Sequence, residues 1–150
     1  MTASLRTAVA EHAVADVEDL DAALADDSVS PPVRHRLTEV RQRRLAEVPG
    51  VPVTTAARIL GLSPQSVRAW LHAGVLDPMP DSAPLKVATD RLAEVASLVH
   101  QLRQAGHDRD LLRVVIDRLE DDRVTAHPRV RGSLDQLHHG HLEPFSAADL

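Results

Sequence analysis

Gln65, Ser66 and Arg68 stand within four positions of one another in the stretch GLSPQSVRAWLHAGVL, residues 61–76. Each side chain has the donors or acceptors to meet a base edge: glutamine pairs with adenine through two hydrogen bonds, arginine with guanine, and serine takes either role. Groups suited to phosphate oxygens lie nearby in the chain, namely Thr54, Thr55, Arg58, His72 and Lys86. Such contacts fix a protein on a duplex without reading its sequence. The chemistry these residues offer is therefore recognition. Catalysis has no comparable constellation, since the sequence shows no Ser-His-Asp spacing, phosphate loop or paired acids in an apolar setting. An enzyme is not expected, nor is a cofactor.

The reading residues need a rigid helix beneath them. Ser63 can cap such a helix, with Pro64 in its first turn. Thr54 can cap a short helix before it, Gly61 sits where the chain must turn sharply, and Ala57 is small where the two helices cross. This is the grammar of two helices joined by a tight turn. Val67 and Trp70, three apart, then face back onto Ala57 and Leu60, while Gln65, Ser66, Arg68 and Ala69 project the other way. Trp70 is the sole tryptophan of a chain with one phenylalanine and no tyrosine. On the sequence alone its ring serves equally as core or as a groove contact.

Further elements must hold this pair. From Ser4 to Asp26, Leu5, Val9, Ala13, Val17, Leu20 and Leu24 recur at helical intervals, opposite an acidic face. SPP at 30–32 ends that helix and starts another, with Val33, Leu37, Val40 and Leu45 on its apolar side. VPGVP at 48–52 stops it and marks a boundary near residue 50. After the two-helix unit, DPMPDSAP lies between the apolar flanks GVL and LKV and suggests a small hairpin or wing. A helix from Asp90 to Gln104 comes next, with Leu92, Val95, Ala96, Val99 and Leu102 on one face. Gly106 suits its C-cap and Asp108 the next N-cap, before a helix striped by Leu111, Leu112, Val115, Ile116 and Leu119. Beyond Val124 the periodicity fades into a tail expected to order on a partner.

Composition bounds the rest. The chain of 150 residues is 43% hydrophobic but only 1% aromatic, so leucine, valine and alanine must build the core. The absence of cysteine excludes disulfides, thiol catalysis and thiolate metal sites. No secretory signal or long apolar span is read, and a soluble cytoplasmic protein without membrane contact is expected. The net charge of −5 is unevenly spread: residues 1–32 carry −6, residues 33–91 carry +4 and residues 92–150 carry −3. The basic block coincides with the two-helix unit. RHRLTEVRQRR at 34–44 reads as a solvated helix face in preference to a phosphate-binding one. HHGH at 138–141 has no compact set of Cys, Asp or Glu beside it and reads as a surface or partner-facing cluster in preference to a metal site.

GLSPQSVRAWLHAGVL resembles, with unbroken spacing, the recognition helix of MerR-type and excisionase-type DNA-binding domains. The matching places are Gly61, Leu62, Ser63, Ser66, Val67, Arg68, Trp70, Gly74, Val75 and Leu76. The resemblance extends over roughly residues 52–120, because a helix, a glycine-containing break and a second helix come after the wing. It implies a MerR-like winged helix-turn-helix, placed at 50–122; with the helical pair at 1–48 and the tail at 123–150 read from the pattern of the residues, the expected fold class is all-α. It also implies that Arg68 and Trp70 lie close to the DNA backbone. The sequence departs from that family in its wing, where Lys86 is the sole basic residue, and no distal effector region with metal-binding cysteines is read in these 150 residues. The function expected is that of a sequence-specific transcriptional regulator, homodimeric, reading the major groove of double-stranded DNA with helix 64–73. Two alternatives accompany it: an antitoxin that binds its toxin through residues 120–150 and autoregulates its operon, and an excisionase-like protein that bends DNA.

Overall fold

The computed structural model describes residues 3–126. The expected tail beyond them, with the histidine cluster and most of the toxin-binding segment, lies outside the described residues. Within them the chain forms six helices and a single two-stranded sheet, so it is essentially all-α. None of these helices is long and apolar enough to cross a membrane. Contacts group the chain into a unit ending at Leu112 and another beginning at Arg113.

The first unit opens with α1 (Ala3–Leu24) and α2 (Pro31–Glu47), which pack on each other. Their join is polar. Arg34 donates to the Asp26 carbonyl at 3.0 Å, Arg41 to Asp21 at 2.6 Å and Arg44 to Asp16 at 2.9 Å, so α2 rises along α1 as α1 descends. These arginines fall at helical spacing on one face, and they displace the expected apolar face: α2 buries no residue, and Val33 and Val40 are exposed. The physical reason is the acidic partner, which rewards guanidinium donors over valine. Arg41 also reaches Asp90, and the hydrogen bond it donates to Asp21 foremost raises its guanidinium pKa above the ordinary arginine value.

The buried stripe of α1 is Ala10, Ala13, Val14 and Val17, on the side packed against later helices. Leu5 and Val9, expected on that stripe, are exposed instead. Alanines there let a neighbouring helix approach closely, a role for which the larger residues of the alternative face are unsuited.

VPGVP does more than stop α2. Its last three residues form β1 (Gly50–Pro52), antiparallel to β2 (Lys86–Ala88) with Val51 opposite Val87. Both valines are fully buried. The expected hairpin exists in a shifted form: Met79 donates to the Lys86 carbonyl and Ala88 to that of Asp77, each at 2.8 Å, with a bridge between Pro78 and Val87. Its outer arm is therefore Asp77–Met79, because Val75 and Leu76 are drawn into the core.

Between the strands run α3 (Val53–Leu60) and α4 (Pro64–His72), and after them α5 (Thr89–Gln104). The α5 stripe Leu92, Val95, Ala96, Val99 and Leu102 is buried as its periodicity predicts. With Leu60, Val67 and Leu76 it makes an aliphatic core around one indole. Gly106 ends α5 in the left-handed region, while His107 donates back to Leu102 at 2.9 Å. Asp108 does not cap the next helix, since α6 (Leu111–Ala126) begins three residues later. In the second unit α6 carries Val115 and Leu119 four apart, on one side of the helix.

The turn joining α3 to α4 rests on Gly61, at φ 64° and ψ 36°. Leu62 donates to the Ala57 carbonyl at 2.9 Å and Gly61 to that of Arg58 at 3.3 Å, a paired closure of the helix end. A Cβ there would lie 2.8 Å from Arg103 Nη1. Gly61→Ala is expected to cost about 1–2 kcal/mol, since a left-handed backbone is strained for an L side chain. A lowered thermal midpoint by circular dichroism checks it.

Candidate nucleic-acid interface

The outward face is set from within α4. Ser63 caps the helix: its Oγ accepts the Ser66 N–H at 3.1 Å, and Pro64 occupies the first turn. The two serine hydroxyls also meet at 2.9 Å. Val67 is wholly buried and Trp70 is 3% exposed, on a helix that packs against α3, where Ala57 and Leu60 are likewise buried. With those two residues fixed inward, the opposite side is determined. Gln65, Arg68, Ala69 and His72 are all exposed at helical spacing i, i+3, i+4 and i+7. They form one stripe about 10 Å long.

The indole is core, so Trp70 leaves the set of expected DNA contacts. Its main chain works locally instead: the Trp70 carbonyl accepts from Val75 at 3.1 Å and Leu76 at 3.3 Å as the chain leaves α4. Thr55 leaves the set too, being 4% exposed on the inner side of α3. Ser66 is half-buried, with its hydroxyl engaged by the cap, and belongs to the foundation of α4 more than to the outer stripe.

Thr54 is exposed but does not cap α3; Pro52 holds the cap position, without a side-chain bond. Thr54 stands in the first turn, and Arg58 lies four residues on, also exposed, so both fall on the outer side of α3. Arg58 is not unencumbered, because its Nε meets Glu11 Oε1 of α1 at 2.9 Å. Lys86 is half-exposed on β2, with its N–H bound to Ser82 Oγ at 3.1 Å. Arg68 has neither an ion pair nor a hydrogen bond among the described residues, so its guanidinium is available to a ligand.

Two positioning residues escape the sequence reading. Arg103 Nη2 of α5 donates to the Gly61 carbonyl at 3.2 Å, and Arg91 Nε to the Val75 carbonyl at 2.9 Å. Glu94 steadies Arg91 at 2.8 Å. One helix thereby grips the turns before and after α4. Among the described residues no cluster of three or more metal-ligating side chains occurs.

The arrangement offers one exposed cation and one amide on a rigid helix, with a hydroxyl and a second cation on the helix before it. Comparison of the chain with known families, with curated proteins and with solved structures finds no match.

Proposed function

We propose that the chain is a sequence-specific DNA-binding regulator of transcription, built as a MerR-like winged helix-turn-helix. One observation carries the reading: α4 buries Val67 and Trp70 and turns outward a stripe of Gln65, Arg68, Ala69 and His72. A helix so mounted fits the major groove. Arg68 supplies the fork for guanine, Gln65 the bidentate partner for adenine, and Ala69 an apolar contact for a thymine methyl. Thr54, Arg58, His72 and Lys86 take backbone phosphates, while Ser63 and Ser66 hold the helix start.

A stripe about 10 Å long spans only a few base pairs. Two copies on a two-fold site multiply the reading, and a cytoplasmic homodimer is part of the proposal. Beyond Lys86 the wing contributes little, because Asp77 on its outer arm and Asp81 just after it are exposed and oppose phosphate. Selection from a randomised duplex pool tests the reading. The expected product is a short palindromic motif containing guanine in each half-site, and a pool that stays unenriched would contradict it.

A further inference from the structure

Acidic side chains of α1 meet basic side chains from three other helices. Asp16 and Asp21 hold Arg44 and Arg41 of α2, and Glu18 faces His100 of α5 at 3.4 Å. Those contacts brace the fold. The pair of Glu11 with Arg58 differs, because the Arg58 side chain is 73% exposed and lies on the outer side of α3 with Thr54.

Glu11 springs from a docked stretch of α1. Its neighbours Ala10, Ala13 and Val14 are buried, so its backbone is fixed wherever α1 is docked. Its carboxylate side chain is 30% exposed. A phosphate that takes the remaining donors of Arg58 must therefore settle beside a carboxylate already held on Nε. The guanidinium has further N–H groups to offer, but its charge is already balanced.

We propose that Glu11 is an intramolecular competitor for DNA: it stands where a backbone phosphate would pair with Arg58 and so limits the affinity of the interface. This rests on the DNA-binding reading above and assigns to α1 a part in it. Phosphate contacts act on every sequence alike, so Glu11 weakens binding to random and selected duplexes together. Discrimination then rests more heavily on the base contacts of α4.

A double-mutant cycle on the full chain tests the inference, with fluorescence anisotropy on a labelled random-sequence duplex over a salt series. Like charges about 7 Å apart in water-exposed surroundings, at an effective dielectric of about 40–80, are worth about a three- to sevenfold change in affinity, so Glu11→Gln should bind tighter by that factor. Its salt slope should steepen, by at most about 0.9, the value of one complete phosphate contact, because in the parent Arg58 makes that contact only in part. Arg58→Ala should bind more weakly than the parent, and adding Glu11→Gln to it should give no comparable gain. Unchanged or weaker binding by Glu11→Gln would overturn the proposal, the latter by showing that Glu11 orients Arg58. A gain that persists without Arg58 would overturn it too, as an effect of net charge alone. If no variant binds duplex at low salt, the DNA-binding reading fails and the competitor role falls with it. Binding by the parent with no coupling in the cycle removes the competitor alone. Circular dichroism melts of all four proteins confirm that folded chains are compared.

Discussion

Trp70→Ala lowers the free energy of unfolding by about 3–5 kcal/mol, the range for deleting a large buried aromatic side chain. Trp70 is 3% exposed, and among the described residues the rest of the buried apolar core is aliphatic, with no second aromatic group to fill the space. A loss of that size is a large fraction of the stability of a small domain. Urea unfolding followed by far-ultraviolet circular dichroism measures it, since the variant lacks the chain's only tryptophan. Where the variant remains folded, its affinity for DNA should stay close to the parent's. A strong loss of binding by a fully folded Trp70→Ala would return the indole to the interface.

Arg68→Ala has the opposite profile. Its side chain is exposed and has no hydrogen bond or ion pair among the described residues, so stability should change by no more than about 0.5 kcal/mol. Binding to the selected site should weaken by about 1–3 kcal/mol, with relaxed preference at the guanine it reads. Titration of the selected duplex against a substituted one separates two meanings. Loss confined to the selected site identifies a base contact, whereas equal loss on both shows that Arg68 meets phosphate only. The two substitutions together separate the foundation of α4 from its outer face.

The features legible in the sequence are chiefly local. The Ser63 cap, the Gly61 turn and the Gly106 helix end are each closed by bonds within a few residues, and their residue types announce them. The α5 stripe is legible because its apolar period is long and unbroken. The two faces of α4 stem from Val67 and Trp70, a pair whose spacing fixes an inner side.

Features set by distant partners are not legible in the same way. VPGVP reads as a break because its prolines and glycine forbid a helix, yet β2, far later in the chain, turns part of it into a strand. Val33 and Val40 read as the inner face of α2 until the carboxylates of α1 claim its arginines. Thr55 has a side chain suited to either face of a short helix, and neighbouring elements decide that it is covered. Arg91 and Arg103 carry no local mark of their grip on the turns around α4, because that grip depends on how α5 lies against them.

The claim on which the account turns is that the outer stripe of α4 reads DNA. Fluorescence anisotropy of the full chain on the duplex upstream of its own coding sequence, against a scrambled duplex of equal length across a salt series, tests it most directly. The account predicts tight binding to the first, much weaker binding to the second, and an affinity that falls steeply with salt. Equal affinity for both duplexes, or none for either at low salt, would contradict it.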